Sequence, residues 1–316
     1  MTTPGSPGHP LCQGLAVWGA SAVVGPRRVD NEEIAALCGV EAAWILDRTG
    51  IVERWWDGDP VEMALASARG ALDAAGVEAR DLALVVVATS TARRQVPSIA
   101  AEVASALGAE AGSFDVNAAC AGAVYSILAA GPVAAVAPAL VIGTDSYSSV
   151  LEPGDRDTNV LFGDGAGALV LGPGDGAILS SDMASVPETT DHAAIPLGGK
   201  LTMRGRDVYR VAVTEVPKSI ERAVAAAGVR MDEVRAVVAH QANRRILDAI
   251  AERLGLAAEA VPVIIEHTGN TSAATVPSTL AACMDAFEPG DVVVLCGFGG
   301  GMTVATSVLR WGDARR

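Results

Sequence analysis

The chain has 316 residues, of which half are hydrophobic, and a formal net charge of −14. This length and apolar content suffice for one large domain or two fused halves. The acidic balance excludes nucleic acid as the main partner, because phosphate binding needs a basic face. Five cysteines without C-x-x-C spacing argue against a disulfide framework or a metal site and favour a reducing, cytoplasmic setting.

Short apolar runs rich in β-branched residues alternate with alanine-rich helical segments along the chain. This alternation is typical of an α/β protein in which helices cover buried sheets. The predicted strands are LALVVVAT (82–89), SFDV (113–116), ALVIGT (139–144), GALVLG (167–172), VRAVVAH (234–240) and GDVVVLCG (290–297).

One long uncharged segment, from Ala118 to Thr144, raises the question of a membrane span. Prolines at 132 and 138 would interrupt a spanning helix, polar side chains reduce its hydrophobicity, and no second such segment exists. The segment therefore predicts a buried helix over about 120–130, a loop and a buried strand. We expect no membrane partner.

Two segments half a chain apart resemble each other at a constant offset. ALDAAGVEARDLALVVVATSTARR (71–94) aligns with AVAAAGVRMDEVRAVVAHQANRR (223–245), including Gly76 with Gly228. Similar composition could imitate this match, but the fixed offset favours an internal duplication. We predict two halves, 1–172 and 173–316. Because sites form where strand ends meet, His240 is expected at a cleft shared by the halves.

Cys120 follows a predicted strand and opens a predicted helix. The positive end of the helix dipole and free N–H groups there favour a thiolate, which is the nucleophilic form of cysteine. Small neighbouring residues leave room for a substrate carbonyl. An inert core cysteine fits the local sequence equally well.

Two further polar residues follow apolar or glycine-rich segments. His240 ends a buried run and is either a hydrogen-bonded structural histidine or a catalytic one. Asn270 lies in HTGNTSAATVP (267–277), where its amide either caps a helix or donates to an oxyanion. The glycine strings FGDGAGALVL (162–171) and CGFGGGMT (296–303) permit close backbone approach but match no phosphate loop.

Together these strings resemble the β-ketoacyl-ACP synthase III family, which are condensing enzymes with a thiolase fold. The resemblance runs from about residue 14 to 311. It is carried by DVNAACAGAVYS (115–126), FGDGAGALVL, AHQANRRI (239–246), HTGNTSAATVP and GFGGGMT, and by the coenzyme A-binding stretches WILDRTGIVERWW (44–56) and GDRDTNVLFGDGAGA (154–168). It implies two thiolase-like halves forming an αβαβα sandwich, with the cysteine in 1–172 and the histidine and asparagine in 173–316.

The resemblance also implies a mechanism. Cys120 takes an acyl group from an acyl-CoA as a thioester. His240 and Asn270 then stabilise the enolate formed when malonyl-ACP loses CO2. Backbone N–H groups of Cys120 and Gly300 form the oxyanion hole. No metal and no tightly bound cofactor are expected, and the coenzyme A thioester is a substrate.

Other positions match residues that contact the carriers. The resemblance assigns coenzyme A binding and ACP docking to surface side chains. Because ACP is acidic, the negative net charge of the chain must be locally reversed around the entrance to the active site. The coenzyme A residues are Trp44, Arg48, Arg156 and Asn243, and the ACP-docking residues are Arg245, Arg244 and Arg210, with Arg206 able to widen the patch.

Val96 stands where acetyl-preferring relatives have a phenylalanine that closes the acyl pocket across a homodimer interface. A valine there implies a longer or branched starter and a specialised relative, in fatty acid or polyketide chain initiation. The alternative function is a same-fold acyltransferase that uses a different acceptor. A biosynthetic thiolase and a non-catalytic partner subunit fit less well, because the first needs a second catalytic cysteine and the second typically lacks the nucleophile.

Overall fold

The computed structural model describes residues 10–314. The strands are β1 Cys12–Val24, β2 Arg27–Asp30, β3 Glu53–Trp56, β4 Leu84–Ala88, β5 Gly112–Val116, β6 Ala139–Ser146, β7 Asp164–Ser185, β8 Ala193–Ala194, β9 Thr202–Met203, β10 Val234–Ala239, β11 Val292–Gly299 and β12 Thr303–Arg310. The α-helices are α1 Asn31–Cys38, α2 Ala42–Thr49, α3 Pro60–Ala75, α4 Ile99–Leu107, α5 Gly122–Ala134, α6 Gly205–Ala226, α7 Arg244–Leu254, α8 Ile265–Thr268 and α9 Thr275–Cys283. Each strand predicted from sequence overlaps one of these strands.

Eight strands form one mixed sheet in the order β5-β4-β6-β7-β12-β11-β10, with β1 paired along β7. The pairs β4–β5, β4–β6 and β10–β11 are parallel, whereas β7 is antiparallel to its three neighbours. The first part of β7 pairs with β6 and its last part with β12. The predicted boundary after residue 172 lies within this strand, which contributes to both halves.

The helices form three layers around the strands. Helices α5 and α9 contact strands of both halves, α3 and α4 cover the outer face of one half, and α6 and α7 cover that of the other. Successive residues of a strand point to opposite faces and so belong to different hydrophobic cores. Val85 packs against the outer helices and Val86 against the middle helical layer, and in the second half Val237 and Val238 do the same. This is the αβαβα arrangement that the resemblance implies, and the long strand β7, which pairs with β6 at its start and β12 at its end, joins the strands of the two halves in one hydrogen-bonded sheet.

The repeated segments fold alike. In each, a left-handed glycine follows the helix, with φ of 63° at Gly76 directly after α3 and 70° at Gly228 two residues after α6, and a 3₁₀ turn then leads into a buried strand. A second pair of 3₁₀ turns, Ala119–Ala121 and Ser272–Ala274, immediately precedes α5 and α9, and the two turns contact each other. The two halves therefore meet where Cys120 lies.

The uncharged segment forms α5 and β6. Helix α5 does not end before Gly131-Pro132 as predicted but continues through Pro132 to Ala134. Pro132 has no N–H to donate to the carbonyl of residue 128, so the helix loses a hydrogen bond there, but it ends only two residues later. Within residues 10–314, no helix is both long and apolar enough to cross a bilayer.

Candidate active site

A cavity of about 1430 Å³ lies between the two halves. Cys120, His240 and Asn270 all line it, and all three are buried. We call these three residues the buried end. Ser90, in the loop after β4, lines the same cavity, so the loops that follow the two repeated strands meet there as the duplication predicts.

Cys120 occupies the 3₁₀ turn between β5 and α5. The preceding Ala119 has a left-handed φ of 47°, an uncommon conformation for a residue with a Cβ. Burial raises the pKa of the Cys120 thiol to about 12, and a hydrogen bond with Ser272 opposes this rise. The helix N-terminus was expected to favour the thiolate. The loss of solvation at this buried position outweighs that effect.

Glycines let the end of β11 approach the cysteine turn. A Cβ at Gly299 would lie 2.5 Å from the Cys120 backbone nitrogen, and one at Gly297 would lie 2.7 Å from the Ala121 Cα. Gly300 follows and lines the cavity. The chain thus brings Cys120 and Gly300 to the same wall, and their joint role as an oxyanion hole stays a prediction.

His240 directly follows β10, and its Nδ1 lies 2.6 Å from Thr275 Oγ1. The Thr275 hydroxyl donates to the Ser272 carbonyl at 2.9 Å, so its oxygen accepts the proton of Nδ1. The neutral ring therefore presents Nε2 as an acceptor. Burial lowers the pKa of His240 to about 3, which keeps the ring neutral at physiological pH.

Asn270 follows α8. Its Oδ1 accepts the Ser272 backbone N–H at 2.9 Å, while its own backbone N–H donates to the Leu161 carbonyl. Because the amide oxygen is engaged, the Nδ2 end is the one available to donate. Asn270 thus has the donor that an oxyanion role requires.

Sequence reasoning missed four residues around this cluster. Asp145 is fully buried and accepts hydrogen bonds from Thr91 Oγ1 at 2.9 Å and from the Ala273 N–H at 3.2 Å, which joins the two halves. Burial raises its pKa. The other three are Ser272, Thr275 and Tyr147, whose hydroxyl lies 3.2 Å from Ser90 Oγ. A polar run directly after the buried strand ALVIG was the available signal for Asp145 and Tyr147.

The wider part of the cavity is exposed and charged. Trp44, Arg48, Arg156 and Arg245 line it, and we call these residues the exposed end. Arg245 pairs with Asp47 at 3.0 Å.

Asn243 also lines the cavity, but the protein itself uses both ends of its side chain. Its Oδ1 caps α7 by accepting the Arg245 N–H at 2.9 Å, and its Nδ2 donates to the Arg48 carbonyl at 3.3 Å. Asn243 therefore holds two residues of the exposed end in place, and its predicted contact with coenzyme A stays a prediction.

Three predicted residues do not line this cavity. Arg244 pairs with Asp248 and Glu266, and Arg210 pairs with Asp207. Val96 lies in the loop before α4 with 81% of its surface exposed. The roles predicted for them concern a carrier protein or a partner subunit, and they stay predictions.

A buried cysteine, histidine and asparagine in a cavity between the halves of a duplicated αβαβα sandwich define a thiolase-fold condensing enzyme. Comparison with known proteins specifies the class further. Residues 114–187 match the family model described as 3-oxoacyl-[acyl-carrier-protein] synthase III, and residues 224–311 match the model of its C-terminal part.

Relatives that align over nearly their whole length indicate the same family. The chain is 39% identical to the β-ketoacyl-ACP synthase III of Rubrobacter xylanophilus, over 92% of this chain and 97% of that protein. It is also 39% identical to the acetoacetyl CoA synthase NphT7 of Streptomyces sp. CL190, over 93% and 97%. The structure of 3-oxoacyl-ACP synthase III from Pseudomonas aeruginosa superposes with a TM-score of 0.89 at 36% identity, covering 96% of this chain and all of that one. The chain belongs to the β-ketoacyl-ACP synthase III family and is an acyl-transferring condensing enzyme.

Proposed function

We propose that this enzyme starts fatty acid or polyketide chains: Cys120 is acylated by an acyl-CoA, and the acyl group is then condensed with malonyl-ACP. The observation that carries the proposal is the convergence of Cys120, His240 and Asn270 in one cavity, in which Nε2 of His240 is an acceptor and Nδ2 of Asn270 is a donor.

The first half-reaction uses the neutral imidazole. His240 Nε2 takes the proton of the Cys120 thiol, and the sulfur attacks the acyl carbonyl while the bond from that carbon to the coenzyme A sulfur breaks. Coenzyme A leaves as a thiolate and takes a proton from solvent. N–H groups of Cys120 and Gly300 stabilise the tetrahedral oxyanion. The high thiol pKa means that the nucleophile forms as it reacts and is not stored as thiolate.

The second half-reaction uses hydrogen-bond donors. The malonyl carboxylate leaves as CO2, and the electron pair of the broken bond passes into the thioester as an enolate. Asn270 Nδ2 donates to the enolate oxygen, and so does His240 Nε2 while it holds the proton that it took from Cys120. The carbanion attacks the acyl carbon on Cys120, and the sulfur leaves and takes that proton back from His240. The burial of the three residues favours loss of a carboxylate, because little water stabilises its charge there.

We propose the exposed end as the coenzyme A site, where the indole of Trp44 stacks on the adenine and Arg48 and Arg156 face the phosphates. Arg245 is the proposed ACP-docking cation. Coenzyme A enters only as substrate. The cysteines are free thiols, which supports a reducing, cytoplasmic setting.

We also propose a homodimer. Strand β5 ends the sheet, and within residues 10–314 it has one neighbouring strand. Phe114 on this strand is 41% exposed, and Val96 in the nearby loop is more exposed still. An open strand edge with exposed apolar side chains suits pairing with a second copy. Val96 would then reach the partner's acyl pocket and leave room for a longer or branched starter.

The test measures the two half-reactions separately. The protein is incubated with a panel of acyl-CoAs, and acylation of Cys120 is read by intact mass. Malonyl-ACP is then added, and both CO2 and β-ketoacyl-ACP are quantified. We expect acylation, best with starters longer than acetyl, followed by stoichiometric CO2. Acylation without CO2 would contradict condensation and support transfer to another acceptor.

A second acceptor is favoured by one observation. Arg244, Arg245 and Arg210 are each paired with carboxylates of the same chain, so the predicted ACP patch is largely neutralised. NphT7 is named for a coenzyme A product. Malonyl-CoA is therefore run beside malonyl-ACP, and a higher kcat/KM with malonyl-CoA would assign this chain the same kind of acceptor.

A further inference from the structure

Ser272 contacts the reacting cysteine and is linked to both other residues of the buried end. Its Oγ lies 3.3 Å from Cys120 Sγ, its backbone N–H donates to Asn270 Oδ1, and its carbonyl accepts the hydroxyl of Thr275, which holds His240 Nδ1. Ser272 itself has no surface exposed to solvent. The side chain, N–H and carbonyl of one residue thus each serve a different member of the cluster.

The backbone of Ser272 is left-handed, with φ of 54°. A residue with a Cβ adopts this conformation at a cost, and such residues concentrate at functional sites. The neighbouring Ala273 is fixed by its hydrogen bond to the buried Asp145. The surrounding structure therefore holds Ser272 in a conformation that the isolated turn would not favour.

We propose that Ser272 is a further catalytic residue, whose hydroxyl donates a hydrogen bond to the Cys120 sulfur when that sulfur carries negative charge. The proposal rests on the proposed function. Ser272 keeps its proton: the thiol proton goes to His240 Nε2, and the new bond from sulfur to the acyl carbon forms as the coenzyme A thioester bond breaks. The same donor faces the sulfur when it leaves in condensation.

The charge balance at the sulfur supports this role. Burial and the nearby Asp145 carboxyl both raise the pKa of Cys120, whereas the Ser272 hydrogen bond lowers it. The Tyr147 hydroxyl lowers the pKa of Cys120 as well, so both hydroxyls act against the burial of the sulfur. A hydrogen bond from Ser272 to the charged sulfur has a large effect, because hydrogen bonds to charged groups are about twice as strong as neutral ones.

The experiment compares S272A and S272G with S278A, a control that removes another buried serine hydroxyl, on α9. The first readout needs no acyl substrate: the rate of Cys120 alkylation by iodoacetamide from pH 7 to about pH 11, followed by peptide mass mapping because the other cysteines are also free thiols. The second is single-turnover acylation by an acyl-CoA. For both Ser272 variants we expect Cys120 alkylation to be slower than in the wild type at each pH, and acylation to slow about 10- to 100-fold. S278A should match the wild type in both.

Three outcomes would overturn the proposal. If the alkylation profiles of the variants coincide with that of the wild type, the Ser272 hydroxyl does not stabilise the charged Cys120 sulfur, and the proposal is wrong. A defect in S272A that S272G restores would assign the effect to the left-handed backbone, which glycine adopts freely. A defect confined to CO2 release would mean that Ser272 only orients Asn270. Because alkylation is independent of the acyl donor and acceptor, a failure of the proposed condensation leaves this test intact.

Discussion

The two ends of the cavity hold polar groups in different ways. At the buried end, Cys120 and His240 are both uncharged: burial raises the pKa of the thiol to about 12 and lowers that of the imidazole to about 3. At the exposed end, the Arg245 side chain lies in solvent and pairs with Asp47. Neutral groups suit chemistry that creates charge only during reaction, whereas exposed cations suit capture of an anionic carrier. Substitutions should therefore affect rate at one end and binding at the other.

The largest effect is expected from Cys120→Ala, which removes the nucleophile. Acylation detected by intact mass should fall to background. Cys296→Ala is the matched control, because Cys296 is also buried and burial also raises its pKa to about 12, but it belongs to the outer core of the second half. Acylation that persists in Cys120→Ala would disprove the nucleophile assignment.

Gly299→Ala should reduce activity nearly as much as Cys120→Ala does. Its Cβ would lie 2.5 Å from the Cys120 nitrogen, so one of the two backbone segments must move. We expect kcat to fall about 100-fold, as for loss of an oxyanion donor. Gly300→Ala serves as the milder comparison, since its nearest contact is 3.0 Å, to the Ala193 carbonyl. Equal kcat values for the two variants would contradict the close-packing argument.

Thr275→Val tests what orients His240. The valine has a similar shape but cannot accept the Nδ1 proton. We expect kcat to fall about 10-fold, which is the worth of one buried hydrogen bond, while KM for the acyl-CoA stays within about twofold. Thr275→Ser should restore most of the rate. A rescue that fails would show that Thr275 acts by packing.

At the exposed end, Arg245→Ala should change binding alone. Exposed ion pairs contribute little to stability, so the melting temperature should hold. If ACP docks there, KM for malonyl-ACP should rise about threefold to tenfold at unchanged kcat, and the rise should shrink as salt is added. Arg80→Ala, which removes an exposed arginine on the turn before β4 and outside the cavity, gives the comparison. An unchanged KM would favour the malonyl-CoA acceptor.

The smallest effect is expected when the pH of the acylation reaction is varied. Because the pKa of His240 is about 3, the ring is already in its base form throughout pH 5–8, and its protonation would remove activity only well below that range. Single-turnover acylation should thus show no inflection near the ordinary histidine pKa of about 6.5. An acid limb there would mean that the site binds substrate with His240 exposed to water.

Local sequence predicted most of the secondary structure. Runs such as LALVVVAT and GDVVVLCG became strands because buried β-branched residues suit few other structures. The end of α5 was misplaced by about one turn, because the helix continues through Pro132 despite the hydrogen bond lost there. The position of Cys120 on a turn before a helix was predicted correctly. The direction of its pKa shift was not, because that shift depends on burial, and burial depends on what packs over the turn.

The sequence by itself determined the α/β alternation, the duplication and the strings that carry Cys120, His240 and Asn270, because these follow from periodicity and residue type along the chain. Tertiary structure alone decided how those residues are used. The Ser272 hydroxyl reaches Cys120 only because the two duplicated turns pack together, and Asp145 holds the second turn from the other half. Such contacts join residues distant in sequence, and their distances and solvation arise only when both halves are folded.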